Sequence, residues 1–327
     1  MTNVTRRDFH VKTRDNVSIA IRELRQVGHD DRVPMILLHG TRIPGLSEFD
    51  LDVPNGSLAE DLAKQGHVVY IVDARGFGRS ERPAEMDEPR QPGKRSLVRT
   101  VEITHDVDAA VEHLIDATGQ KKVALFGWGV GGTCVQMYAS LYPQKVSHLV
   151  FYNTIYGGYK RPTRSTFAHP DDAEKFNQEE YGNYNLNSIE LLEEHWDTQI
   201  PIDDKVAWRD PEMVKAFSQA LLDGDPTSMQ RTPPSYRSPN GMLEDLFRMS
   251  RGEKLMHANQ IYAKVMIVNP ELDTLSKDED MDALVEDLCH AEQVLVYAPK
   301  NTTHYILLDR PERGRNDLLA KMDEFLY

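Results

Sequence analysis

The segment Leu125-Phe126-Gly127-Trp128-Gly129-Val130-Gly131-Gly132 follows the apolar run Lys122 to Gly127 and precedes a helical pattern at Cys134, Val135, Tyr138 and Leu141. A strand, a tight turn and a helix in that order is the setting in which G-x-S-x-G presents a nucleophilic serine. The flanking glycines have a physical reason: the turn is so tight that a Cβ at Gly127 or Gly131 would strike neighbouring backbone. Here the frame is intact, but its central residue, Gly129, has no nucleophile. A glycine-rich turn without chemistry, or a dinucleotide loop, would have a similar composition. G-x-G-x-G-G, however, lacks the G-x-G-x-x-G register, and the strand is not the first of a βαβ unit. Two later residues could supply an acid and a base. Pro270-Glu271-Leu272-Asp273 follows the apolar run Lys264–Asn269, and spacing favours Asp273 over Glu271 as the acid. Of the twelve histidines, His304 follows the last apolar run, which completes the order nucleophile, acid, histidine.

The elements that must hold these residues can be read from periodicity. Residues 8–24 form a hairpin pattern around Arg14-Asp15-Asn16. Short continuous apolar runs at Val33–Leu38, His67–Asp73, Lys122–Gly127, Val146–Tyr152, Lys264–Asn269 and Gln293–Ala298 mark strands buried on both faces. Helical patterns lie between them. Val107, Ala110, Val111, Leu114 and Ile115 share one face, and Ser57-Leu58-Ala59-Glu60 opens another helix like a capping box. Strands alternating with helices predict a mostly parallel sheet covered by helices on both faces. Between about Gly157 and His257 the rhythm stops, and helical patterns, prolines and aromatics take over. Because the strand pattern resumes at Lys264, this stretch is an insertion, not a separate C-terminal domain. The expected division is a core over 1–156, a helical cap over 157–257 and the rest of the core over 258–327.

Further motifs carry a resemblance. His39-Gly40-Thr41 ends the Val33–Leu38 run, and Asp73-Ala74-Arg75-Gly76-Phe77-Gly78-Arg79-Ser80 ends the next. Together with the Gly127–Gly131 frame, Pro270–Asp273 and His304, in this order, the chain resembles the α/β-hydrolase family over nearly everything outside the cap. Within that family, His39-Gly40-Thr41-Arg42-Ile43-Pro44-Gly45 and the long cap look like bacterial lactone and ester hydrolases, including lactonases of the zearalenone type. The resemblance implies a Ser-His-Asp mechanism with position 129 as the serine slot, His304 as base and Asp273 as triad acid. Proline 270 stands where the family has glycine. It also implies an oxyanion hole from the backbone N–H groups of Thr41 and Val130, and a purely structural role for Asp73 and Arg75.

Composition narrows the function classes. With 40% hydrophobic and 28% charged residues the chain reads as a soluble globular protein. Its net charge of −14 argues against nucleic-acid or anionic-membrane partners. No run is long enough to span a bilayer, and the N-terminal stretch lacks the apolar core of a secretion signal, so a cytoplasmic setting is expected. Two cysteines, Cys134 and Cys289, make no disulfide framework or metal motif. No cofactor or metal is expected, and a homodimer is possible. The partner expected is a bulky hydrophobic ester or lactone, with Arg42, Trp128, Tyr156, Trp196, Trp208, Met242 and Leu246 as candidate pocket residues. Gly129 leaves three readings open: a serine enzyme whose nucleophile has been replaced, a non-enzymatic small-molecule binder, or a reaction needing only His304 as base. Diketone carbon–carbon hydrolysis uses the same triad and stays open too.

Overall fold

The computed structural model describes residues 4–327; the first three residues of the N-terminal stretch lie outside it. The strands β1 (Val4–Lys12), β2 (Ser18–Gln26), β3 (Met35–Leu38), β4 (Val69–Val72), β5 (Val123–Trp128), β6 (Val146–Tyr152), β7 (Lys264–Val268) and β8 (Gln293–Tyr297) form one eight-stranded sheet. Their spatial order is β1-β2-β4-β3-β5-β6-β7-β8. The β1–β2 and β2–β4 pairs are antiparallel; all other neighbours are parallel.

Every residue of β3 and β4 is buried, as a sheet covered on both faces requires. Successive side chains alternate between two apolar layers. Met35 and Leu37 join Phe126, Trp196, Tyr305 and Met322 on one face, and Ile36 and Leu38 join Val107, Leu114, Cys134 and Tyr138 on the other. The helices supplying those layers are α1 (Gly45–Phe49), α2 (Leu58–Lys64), α3 (Thr100–Thr118) and α4 (Val130–Leu141) in the first part of the chain. Ser57 Oγ caps α2 by accepting the Glu60 N–H at 2.9 Å, and α3 stops at Gly119 with φ +69°. The β1 edge carries Arg6 and Arg7, which pair with Asp50 and Glu23, so it offers no bare apolar ladder to another chain.

The residues between β6 and β7 add nothing to the main sheet. They contain helices α5 (Ile189–Gln199), α6 (Pro211–Asp223) and α7 (Gly241–Ser250). They also contain two small antiparallel ladders, Ala168–His169 with Asp172–Phe176 and Tyr184–Asn187 with Tyr236–Pro239. Apolar runs do not announce the second ladder, because much of its pairing is polar. Arg237 pairs with Asp225, and Asn187 Nδ2 donates to Ser238 Oγ at 2.8 Å. The chain closes with α8 (Asp278–Asp287) and α9 (Arg315–Leu326). Among the described residues no helix is long and apolar enough to cross a membrane.

Candidate active site

Gly129 stands between β5 and α4 with φ +54° and ψ −121°, a backbone state that side-chain-bearing residues rarely adopt. A Cβ built there meets nothing within 4 Å. Its neighbours are the opposite case. A Cβ at Gly127 would lie 2.4 Å from Gly132 Cα, and one at Gly131 would lie 2.3 Å from the His39 carbonyl oxygen. The turn is therefore packed solid on its flanks and open at its centre.

The Asp73 turn braces the loop beside it. Asp73 accepts the Gly45 N–H at 2.8 Å and the Arg79 N–H at 3.1 Å, tying the turn to the start of α1. Arg75 pairs with Asp106 and Asp15 away from Gly129. His39 is fully buried; its Nε2 accepts the Ala74 N–H at 3.0 Å, which leaves Nδ1 to donate to the Gly40 carbonyl at 2.8 Å. Thus the strand end, the loop after it and the Asp73 turn are one hydrogen-bonded unit. Beyond it, the Thr41 and Val130 N–H groups have no protein acceptor among the described residues.

His304 and Asp273 meet on the other side. His304 Nδ1 lies 3.0 Å from Asp273 Oδ1. Asp273 also accepts the Leu275 N–H at 2.8 Å and the Ser276 hydroxyl at 2.6 Å. Burial would raise this carboxyl, but its bonded partner His304 and these donors outweigh it and hold Asp273 below the usual carboxylate range. Glu271 is exposed, accepts the Asn301 N–H at 2.7 Å and pairs with Lys300, so it does not reach the histidine. The His304 loop is pinned from three sides. Asn153 Nδ2 and the Tyr152 hydroxyl donate to its carbonyl, at 2.6 and 2.9 Å, and its N–H donates to Gln199 Oε1 at 2.7 Å.

The Trp128 indole N–H donates to His304 Nε2 at 2.9 Å. An indole nitrogen only donates, so Nε2 must be the acceptor and Nδ1 carries the proton given to Asp273. The imidazole is therefore neutral, and its outward lone pair is occupied by a tryptophan. A second imidazole, His195 on α5, lies with its ring centroid 5.9 Å from that of His304 and bonds the Tyr305 hydroxyl at 2.9 Å. Burial and the neighbouring His304 push His195 down to about 4, so it too is neutral at pH 7.

A cavity of about 60 Å³ lies over the turn. Thr41, Trp128, Gly129, Val130, Leu246 and His304 line it, so six residues singled out from the sequence converge. Gly40, Ile43, Glu48, Asn153, Ile155 and Leu275 complete the lining. Glu48, Asn153, His195 and Gln199 carry no motif, and only the fold brings them here. The other candidate pocket residues are placed elsewhere. Trp196 donates to Asp309 at 2.8 Å, Tyr156 bonds Asp287 and the Ala258 N–H, and Trp208 and Met242 are buried in the apolar layers. Arg42, with φ +73°, lies 5.8 Å from the Phe167 ring centroid and is not in the lining. A larger groove of about 530 Å³, lined by Arg82, Lys94 and Arg95 among others, is separate from His304.

Comparison with known proteins agrees with this architecture. Residues 33–311 match the family model described as the alpha/beta hydrolase fold. Among curated proteins, the 1-acylglycerol-3-phosphate O-acyltransferase ABHD5 of Sus scrofa is 32% identical over 120 residues, which are 37% of this chain and 29% of that protein. The poly(3-hydroxyalkanoate) polymerase subunit PhaC of Haloferax mediterranei is 30% identical over 96 residues, 29% of this chain and 17% of that one. The chain thus spans less than a third of the length of either relative. Among solved structures, a bromoperoxidase from Bacillus anthracis superposes with a TM-score of 0.62 at 17% identity, covering 98% of this chain and 99% of its own. The N-acyl homoserine lactone degrading enzyme Est816 gives 0.58 at 17% identity, covering 96% and 99%. A family model that spans residues 33–311, from β3 past His304, places this chain in the α/β-hydrolase fold family.

Proposed function

We propose that this chain is the framework of a serine-type ester or lactone hydrolase with glycine at the nucleophile position. With Gly129 it binds a carbonyl compound over the turn without forming an acyl-enzyme. The observation that carries this reading is the positive-φ backbone at Gly129, with open space where a hydroxymethyl group would stand, beside a bonded His304–Asp273 pair. A side-chain-bearing residue would be strained there, and such strain is retained chiefly where the side chain has a function. In the serine form, His304 takes the hydroxyl proton, Asp273 stabilises the imidazolium, and the alkoxide adds to the carbonyl carbon. The Thr41 and Val130 amides receive the oxyanion. The intermediate collapses as the His304 imidazolium protonates the departing alcohol oxygen; water, deprotonated by His304, then attacks the acyl-enzyme, and its collapse releases the acid and returns the proton to the serine. Without the serine, turnover falls by about 10⁶, or about 8 kcal/mol of barrier.

The cavity of about 60 Å³ takes the reacting carbonyl and little more. A second cavity of about 150 Å³, reaching Phe167 and Ser250, shares Leu246 and Leu275 with it. We read residues 157–257 as a cap, and this second cavity as the place for the bulk of a hydrophobic ester or lactone. The test is Gly129→Ser assayed with p-nitrophenyl acetate and γ-butyrolactone. Ester hydrolysis should appear with Gly129→Ser and vanish when His304→Ala is added. A soluble, folded Gly129→Ser protein that is inert toward both substrates refutes the reading.

One observation favours a second reading, a non-enzymatic binder: the Trp128 indole occupies the Nε2 lone pair that a serine hydroxyl would need. If that bond silences the dyad, Gly129→Ser stays slow until Trp128→Phe is added.

A further inference from the structure

Glu48 is only 1% exposed, sits on α1 and lines the same cavity as Gly129 and His304. One of its oxygens, Oε2, accepts the Gly40 N–H at 3.0 Å. The other, Oε1, is buried and has no partner. No arginine or lysine forms an ion pair with it among the described residues. The carboxyl packs against the peptide that leads into the turn. A Cβ at Gly40 would lie 3.3 Å from Oε1 and 3.1 Å from the Trp128 carbonyl oxygen.

A buried carboxylate needs either a cation or several donors, and one amide is too little. Burial accordingly raises Glu48 well above the usual carboxylate range, against the smaller opposing effect of the Gly40 N–H. The Tyr236 and Tyr305 phenols, which feel its charge, are themselves kept neutral by burial. A protonated carboxyl has an O–H to give, and buried donors seldom stay unpaired.

We propose that Glu48 donates a hydrogen bond to the carbonyl oxygen of a ligand held over Gly129, as a third donor beside the Thr41 and Val130 amides. The inference rests on the carbonyl-binding reading above and deepens it. It selects neutral carbonyl compounds whose oxygen gains negative charge, namely esters, lactones and ketones. Gly40 contributes by giving its N–H to Oε2, which orients the acid and leaves the next amide, that of Thr41, for the ligand. No covalent step is required: the O–H stays on Glu48 and shortens its contact as the oxyanion develops.

The experiment uses the Gly129 protein as it stands. Infrared difference spectra of wild type against Glu48→Gln should contain a protonated-carboxyl C=O band that the variant lacks. Adding γ-butyrolactone should shift that band to lower frequency. In the Gly129→Ser background, Glu48→Gln keeps a donor and should retain activity within about threefold. Glu48→Leu should lower kcat by about 10² with KM little changed. Absence of the acid band, or a band that ignores bound lactone, overturns the proposal while leaving the hydrolase reading intact. If the band is present but no lactone binds and Gly129→Ser is inert, both fall together.

Discussion

Two glycines in one turn do opposite work, and single substitutions separate them. At Gly129 the obstacle to a side chain is conformational only, since φ is +54° and no atom lies within 4 Å of a Cβ. Gly129→Ser should therefore fold and lower stability by about 1–3 kcal/mol, seen as a modest fall in urea midpoint. At Gly131 the obstacle is an oxygen of the His39 backbone at 2.3 Å, which cannot move without breaking the strand end. Gly131→Ala should cost more than about 4 kcal/mol and largely leave the soluble fraction. Both glycines look alike in the sequence. Their motif was legible because spacing alone encodes it, and so was the His304–Asp273 pairing through chain order. Glu48 and Gln199 were not legible. A buried acid inside Gly-Leu-Ser-Glu-Phe and a glutamine at a helix end have no period or spacing to mark them, and only the loop they fold against gives them a role.

The strands were legible as elements, because a strand buried on both faces must be a short run of apolar residues. The second small ladder was not. Its strands, Tyr184–Asn187 and Tyr236–Pro239, are stabilised by polar pairing, which apolar patterning cannot report. The Arg237–Asp225 pair is central to that ladder, and both side chains are almost fully buried. Burial would raise the Asp225 carboxyl, but Arg237 and the Thr227 and Arg237 amides outweigh it and hold it below the ordinary value of about 3.9. A depressed carboxyl contributes stability that is complete above about pH 4 and is lost as pH falls further toward its folded value. Asp225→Asn also leaves Arg237 with only the exposed Asp87 as counterion, at a cost of up to about 3 kcal/mol. Denaturant midpoints of wild type and variant should thus differ fully at pH 7 and draw together only below about pH 4. A gap that is already closed at pH 6 would contradict the assignment.

Across the whole molecule, the core supplies the turn, the His304–Asp273 pair and the free amides, and the stretch between β6 and β7 adds Leu246 to the lining above them. Leu246 on α7 and Leu275 after β7 stand between the cavities of about 60 and 150 Å³, one leucine from each part of the chain. Replacing both with alanine in the Gly129→Ser background should raise turnover of p-nitrophenyl octanoate relative to the acetate by about tenfold or more. An unchanged ratio would place the entry route elsewhere. The contact between Trp128 and His304 has an optical consequence. Indole emission responds to whatever its N–H touches, and this one touches Nε2 of the His304 imidazole. Of the three tryptophans, Trp196 is tied to a carboxyl and the Trp208 indole N–H has no hydrogen-bond partner, so a spectrum compared with Trp128→Phe isolates the third. The fold thus sets a fluorophore against the His304 ring, so that a change at that ring can be followed in light, with no substrate present.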